Sequence, residues 1–197
     1  MCTTTSSTGA PVRSGGMATL ILLNGPPGVG KSTVAQRYVD EHHLALNLDI
    51  DTIRSLLGGW LDQPRESGLA ARRLALEMAE AHLLDGHDVV VPQLVAVPGF
   101  IEELESVAVD AGVAFVEVVL WVETDVAVAR FDARFGEPSV PGRFNPSELS
   151  DEGGGAIVVP PHHQRLADLL PHRPDAVVVD ASGTPDETYA TLLAALP

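Results

Sequence analysis

A glycine-rich octet near the N-terminus contains the single lysine of the chain. Residues 25–32 read Gly-Pro-Pro-Gly-Val-Gly-Lys-Ser and match the spacing G-x-x-x-x-G-K-[ST]. Such glycines let successive backbone N–H groups point at phosphate oxygens, and the helix that follows adds the positive end of its dipole. The Lys31 ammonium would bridge β- and γ-phosphates, while the Ser32 hydroxyl would ligate Mg²⁺. The octet therefore predicts a site for a nucleoside triphosphate. The residues predicted to hold the nucleotide are Gly25, Pro26, Pro27, Gly28, Val29, Gly30, Lys31, Ser32 and Thr33.

A second group of polar residues, Asn-Leu-Asp-Ile-Asp-Thr-Ile-Arg at 47–54, follows the second predicted strand. Ligands of open α/β sheets bind at the carboxyl ends of the strands. Phosphoryl transfer needs magnesium, a group that accepts the proton of the attacking hydroxyl, and positive charge near the moving phosphoryl. Asp49 and Asp51 would point to the same side of an extended segment, with Arg54 one helical turn further on. In the alternative interpretation, Asp51 is the N-cap of a short helix.

The elements that would position these residues alternate between strand and helix along the chain. Five predicted strands with crossover helices indicate an α/β fold of three layers, with a mostly parallel five-stranded sheet and helices on both faces. The Gly-, Pro- and Ser-rich stretch 136–155 is typical of a lid. The predicted strands are 18–24, 44–48, 88–91, 113–122 and 176–180, and the predicted helices are 32–41, 51–57, 66–84, 98–111, 124–135, 160–170 and 185–196.

Composition narrows the class of protein. The 197 residues fit one domain, expected at 17–197, after a Ser-, Thr- and Gly-rich flexible tail at 1–16. A net charge of −15 argues against nucleic acid as a partner, and no apolar run is long enough to span a membrane. Cys2 is the only cysteine, which excludes a disulfide within one chain and fits a reducing cytoplasm. We therefore expect a cytoplasmic monomer or homodimer.

With these motifs the chain resembles the small P-loop kinases, which include the nucleoside-monophosphate, shikimate and gluconate kinases. The triplet 49–51, Asp-Ile-Asp, is similar to the D-x-D of shikimate kinases. The quartet 51–54, Asp-Thr-Ile-Arg, is similar to the D-x-x-R of polynucleotide 5′-kinases, zeta toxins and chloramphenicol phosphotransferase-like enzymes. The resemblance implies a P-loop NTPase fold, with Asp51 as general base, Arg54 on the substrate or transferred phosphoryl, and Asp49 holding Mg²⁺ through water. Asp49 stays open as an alternative base.

The same resemblance assigns two arginines on the helix after the fourth strand. Arg130 and Arg134 lie four residues apart and match an R-x-x-x-R of the family. By that likeness Arg130 packs on adenine and Arg134 reaches the phosphates as a catalytic residue, with Arg143 as a second candidate for that contact.

The chain departs from the family pattern after the third strand. Where P-loop kinases often place a magnesium-binding aspartate, this chain has Gln93. A neutral amide is better suited to a hydrogen bond with the substrate, which leaves the metal to Ser32 and Asp49.

The sequence thus predicts an ATP-dependent phosphotransferase that moves the γ-phosphate to a hydroxyl of a small molecule, a metabolite or an antibiotic. Catalysis would depend on Lys31, Asp51, Arg54 and Arg134, and the acceptor would meet Asp51, Arg54 and Gln93. Two alternatives stay open. One is a polynucleotide or toxin-like sugar-nucleotide kinase, which would share D-x-x-R. The other is a slow or non-catalytic ATP-binding protein, for which Gln93 is the main indication.

Overall fold

The computed structural model describes residues 17–134 and 154–197. Five strands form one parallel sheet in the order β2-β3-β1-β4-β5. This confirms the predicted α/β class and the five-stranded parallel sheet. The strands are β1 (Thr19–Asn24), β2 (Leu46–Asn47), β3 (Val89–Val91), β4 (Ala114–Trp121) and β5 (Val177–Asp180). The helices are α1 (Lys31–Glu41), α2 (Ile50–Ser55), α3 (Pro64–Leu84), α4 (Pro98–Ala111), α5 (Thr124–Arg134), α6 (Gly155–Leu169) and α7 (Pro185–Ala195), with a 3-10 turn at Leu170–His172.

The central strand β1 is buried along its whole length, so both of its faces must be apolar. Its alternating side chains divide the core into two clusters. Leu20 and Leu22 pack with residues of α2, α3 and α4 on one face of the sheet. Ile21 and Leu23 pack with residues of α1, α5 and α7 on the other face. The sheet is therefore the middle of three layers, and the β1–α1 loop leaves it at its centre.

Most element boundaries lie one or two residues from the sequence prediction or match it, and the differences at β2 and α6 have a local cause. Strand β2 is only Leu46–Asn47 instead of 44–48, because Leu44 has a positive φ of 59° that a strand cannot contain. Helix α6 begins at Gly155 instead of residue 160, and therefore contains two prolines in its interior. The Gly155 N–H donates to Asp132 Oδ1 at 2.6 Å, which attaches the start of α6 to α5.

The predicted lid 136–155 lies outside the described residues except for its last two positions, as does the tail 1–16. In the described part of the chain, every helix is too short or too polar to cross a lipid bilayer.

Candidate active site

The β1–α1 loop follows β1 at the carboxyl edge of the sheet, and its conformation requires glycine. Gly25 has φ 146° and Gly28 has φ 88°, which side chains strongly disfavour. A Cβ on Gly25 would lie 2.6 Å from the Leu120 carbonyl oxygen, and one on Gly28 would lie 2.3 Å from that of Ala127. The loop is thus seated tightly against the end of β4 and against α5.

The N-terminus of α1 is left open by the side chains around it. Gly30 occupies the N-cap position without a side-chain hydrogen bond, and the first turn carries no acidic residue. Helix α7 provides a contrast, because Thr184 and Glu187 form a capping box there. Unsatisfied N–H groups together with the helix dipole make the start of α1 suited to binding an anion.

The remaining loop residues have different environments. Pro26 is buried and Pro27 is half-buried. Val29 is 2% exposed and packs in the cluster shared by α1, α5 and α7. Only its backbone can therefore serve a ligand, whereas Thr33 is exposed on the first turn of α1.

Lys31 folds back over the loop. Its Nζ donates to the carbonyl oxygens of Gly25 at 2.8 Å and Pro26 at 3.0 Å. Burial, together with the positive charge of Arg134, lowers the pKa of Lys31 to about 8, although Asp51 and Asp49 act in the opposite direction. The ammonium of Lys31, both predicted carboxylates and Arg134 are therefore close enough to interact electrostatically.

Asp49, and not Asp51, is the N-cap of α2. Asp49 Oδ1 accepts from the backbone N–H groups of Asp51 at 3.0 Å and Thr52 at 3.1 Å. Asp51 lies in the first turn of the helix. The capping alternative for Asp51 was therefore wrong, and so was the extended segment that placed both carboxylates on one side. Because the cap lies two residues earlier than that alternative placed it, the Asp51 side chain does not serve as the cap.

The Asp51 carboxyl is a candidate general base because of its surroundings. Burial and the neighbouring Asp49 raise its pKa, while a hydrogen bond from the Gln93 side chain and the charges of Arg54 and Lys31 lower it. A carboxylate with a raised pKa accepts a proton more readily than an exposed one.

Gln93 reaches this carboxyl from the β3–α4 loop, residues 92–97. Its Oε1 is buried and has no hydrogen-bond partner among the described residues. An amide oxygen without a partner can accept a donor from a ligand. The structure therefore brings together Gln93 and Asp51, two of the three residues that the sequence analysis placed on the acceptor side.

Arg54 makes contacts within the protein. Its Nε donates to Ser67 Oγ at 3.0 Å and its Nη2 to the Pro64 carbonyl at 2.7 Å. Its guanidinium carbon lies 5.6 Å from the centre of the Trp60 ring. These contacts attach α2 to the start of α3, and they keep Arg54 within electrostatic reach of Asp51.

Arg130 and Arg134 border a cavity of about 300 Å³ beside the β1–α1 loop. Arg130 donates to the carbonyl oxygens of Ala181 at 2.7 Å and Ser182 at 3.0 Å, which fixes the β5–α7 loop. Arg134 is exposed at the end of α5, and Arg143 lies outside the described residues. The cavity is lined by Gly28, Val29, Gly30, Thr33, Val34, Arg130, Ala133, Arg134, Ala181, Gly183, Pro185 and Thr188.

Oxygen donors for a metal are few. In the described ranges, no group of three His, Cys, Asp or Glu side chains could hold a metal ion. Ser32 and Asp49 are hard oxygen donors near the open end of α1, and such a short set fits Mg²⁺, which takes its other ligands from phosphates and water.

Sequence reasoning missed a buried polar network beneath the loop. Asn24 is completely buried, and its amide bonds Gly25, Val95 and Glu117. Glu117 in turn accepts from Arg173. One signal was available: a glutamate in the otherwise apolar strand β4 must have a partner when it is buried.

Comparisons with known proteins identify the fold and the family of the chain. A gluconokinase from Sinorhizobium meliloti 1021 is 19% identical, with 91% of each chain covered and a TM-score of 0.58. The tunicamycin resistance protein of Deinococcus radiodurans is 20% identical, with 90% of this chain and 94% of that chain covered and a TM-score of 0.60. These likenesses confirm the α/β fold that small P-loop kinases share. No curated protein sequence matches the chain significantly. The profile of the AAA domain family AAA_33 matches residues 20–151, and the chain therefore belongs to that family of nucleotide-binding P-loop proteins.

Proposed function

We propose that this protein is an ATP-dependent kinase that phosphorylates a hydroxyl group of a small molecule. The observation that carries the proposal is the proximity of Asp51 to Lys31 at the open N-terminus of α1. A group that attracts phosphate and a group that can accept a proton thus lie at the same edge of the sheet. Phosphoryl transfer to a hydroxyl requires that pairing.

The nucleotide would enter through the cavity beside the β1–α1 loop. Its phosphates would meet the loop N–H groups and the start of α1, where Lys31 would exchange its carbonyl partners for phosphate oxygens. Arg130 and the β5–α7 loop, which it bonds, also line this cavity, and the base would lie against them. A bound Mg²⁺ would neutralise phosphate charge, with Ser32 and Asp49 as the residues that would hold it.

Transfer would proceed by direct displacement. Asp51 takes the proton of the acceptor hydroxyl, and the oxygen forms a bond to the γ-phosphorus as the bond between that phosphorus and the β–γ bridging oxygen breaks. The products are ADP, the phosphorylated acceptor and a proton on Asp51 that is released to water. Gln93 would orient Asp51, and Arg134 would stabilise the charge that develops on the phosphoryl group.

The acceptor class is tested with a panel. Two proteins with this fold are a gluconokinase and a tunicamycin resistance protein, so gluconate and tunicamycin are sensible first acceptors. ADP release would be measured with each acceptor, with Lys31→Ala as the inactive control. Incubation with cell extract and ATP, followed by mass spectrometry, would search for acceptors outside the panel. Acceptor-dependent ADP release supports the proposal.

The neutral Gln93 favours a second candidate, a nucleotide-binding protein with little turnover. Tight binding of ATP together with no acceptor-dependent ADP release, from the panel or from extract, would support it. Phosphorylation of oligonucleotides or of sugar nucleotides would instead favour the end kinase or the toxin-like kinase.

A further inference from the structure

Asn24 joins two loops that contribute to opposite sides of the candidate site. Its Oδ1 accepts from the Gly25 N–H at 2.8 Å and from the Val95 N–H at 3.0 Å. Its Nδ2 donates to the Val95 carbonyl at 2.9 Å and to Glu117 Oε1 at 3.1 Å. The side chain is 0% exposed, and both of its N–H donors and both oxygen lone pairs are used. Such an amide has one orientation only.

Glu117 is held in place from its other side. It is 3% exposed, and its Oε2 accepts from Arg173 Nε at 2.8 Å. Arg173 also donates to Glu105 on α4 at 2.5 Å. Breaking this ion pair would leave an uncompensated buried charge, so Glu117 is expected to keep its position. Asn24 is therefore oriented by a carboxylate that Arg173 holds in place.

The hydrogen bonds of Asn24 connect the β1–α1 loop to the β3–α4 loop. Gly25 opens the β1–α1 loop, and Val95 lies in the β3–α4 loop that carries Gln93. We propose that Asn24 is a positioning residue that transmits nucleotide binding at the β1–α1 loop to the β3–α4 loop, and so sets Gln93 against Asp51. This inference rests on the proposed nucleotide site. Val95 is bonded at both its N–H and its carbonyl, so the β3–α4 loop cannot shift without changing the orientation of Asn24.

Asn24 could contribute to folding stability alone. The test must therefore separate a loss of stability from a loss of coupling between the two loops. Hydrogen exchange is measured for residues 25–33 and 93–97 with and without MgADP. ADP is chosen because it lacks the γ-phosphate, which could contact Gln93 directly. In the native chain, MgADP should slow exchange in both segments, by roughly fivefold or more in the second, which is the low end of usual coupling between sites.

Asn24→Asp keeps the shared acceptor but replaces Nδ2 with an oxygen that faces both Glu117 and the Val95 carbonyl. The variant should lose the MgADP effect on 93–97 while the effect on 25–33 persists. Adding Glu117→Gln restores a donor toward residue 24 and an acceptor toward Arg173, but not the bond to the Val95 carbonyl, so the double variant should regain part of the lost effect. Leu192→Ala in α7 is the control, because it removes a fully buried side chain that belongs to the other core cluster from Val95 and should keep both effects.

Each outcome decides something. A native chain with slowing at 25–33 alone contradicts this inference and leaves the proposed function intact. A native chain without slowing in either segment contradicts both. If the MgADP effect on 93–97 is lost equally in Asn24→Asp and in a Leu192→Ala protein of matched Tm, the loss follows from lower stability and the positioning role is wrong.

Discussion

At the residue scale, the proposed phosphoryl transfer depends on Asp51 and Lys31. Asp51→Asn keeps the size of the side chain and removes its ability to take a proton. We expect MgATP affinity to stay close to that of the native chain and acceptor-dependent transfer to fall by a factor on the order of 10²–10⁴, the usual contribution of a general base. Calorimetric titration with ATP and ADP-release rates measure the two effects separately. An undiminished rate would move the base to Asp49.

Lys31 gives a pH dependence whose sign follows from its lowered pKa. The folded chain holds the ammonium with a pKa of about 8, below the ordinary lysine value of 10.5. Between those values the unfolded chain binds more protons, so folding stability attributable to Lys31 rises with pH across that window and is constant below it. The Tm of the native chain should therefore rise relative to that of Lys31→Met between pH 7 and 10.

Thermal unfolding of both proteins across that range measures the difference. A constant difference in Tm would show that the ammonium is well hydrated in the folded chain. Nucleotide affinity should follow the opposite course, because the charge that attracts phosphate is lost as the pH passes through the pKa.

At the element scale, the contact of the β1–α1 loop with α5 can be isolated with two glycines. Gly28 and Gly86 have nearly equal φ values, 88° and 85°. A Cβ at Gly86 meets nothing within 4 Å, whereas one at Gly28 would clash with the Ala127 carbonyl. Gly86→Ala should cost about 1–2 kcal/mol of unfolding free energy from backbone strain alone. Gly28→Ala should cost clearly more and should also weaken ATP binding. Equal losses in urea unfolding would contradict the close contact.

The N-terminus of α2 tests whether Asp49 does more than cap. Asp49→Asn keeps an acceptor for the two backbone N–H groups, whereas Asp49→Ala removes it and should cost about 0.5–2 kcal/mol of unfolding free energy. If Asp49 also holds Mg²⁺, both variants should need more magnesium for half-maximal ADP release, although only the alanine variant is destabilised. An unchanged magnesium requirement in Asp49→Asn would restrict Asp49 to its capping role.

The elements also show which features of the site can be predicted from the sequence. The β1–α1 loop was predictable because its glycines, lysine and serine are contiguous and their spacing reports one local geometry. The alternative interpretation placed the cap of α2 two residues too late, since Asp49 and Asp51 are both good caps and only the path of the chain after β2 decides between them. The start of α6 was missed because it depends on a bond to Asp132, on another helix.

At the scale of the whole molecule, the class of fold followed from alternating elements, but the network around Asn24 did not. Asn24 and Glu117 are 93 residues apart and meet because β1 pairs with β4. Their register is a property of the assembled sheet. Local patterns could show only that Glu117 is an unusual residue in an apolar strand. They could not show which residue forms a hydrogen bond with it.

Whole-molecule charge leads to a prediction about rate. The net charge of −15 repels MgATP at long range, while Lys31, Arg130, Arg134 and the α1 dipole attract it only at short range. Because salt screens charges beyond roughly 10 Å at 0.1 M, added salt should weaken the repulsion more than the attraction. The association rate of a fluorescent ADP analogue should therefore increase with ionic strength in stopped-flow measurements.

Neutralising acidic residues away from the site provides the control for that prediction. Glu102 and Glu103 are exposed on α4, which packs on the face of the sheet opposite α1. Glu102→Gln/Glu103→Gln should bind the analogue faster than the native chain at low salt and at the same rate at high salt. A native rate that falls with salt, as in proteins steered toward phosphate by a basic surface, would mean that the positive groups at the β1–α1 loop dominate the field at encounter distance. In that case the acidic surface would not argue against an anionic acceptor. Sugar nucleotides and oligonucleotides would then have to be tested as acceptors alongside neutral metabolites.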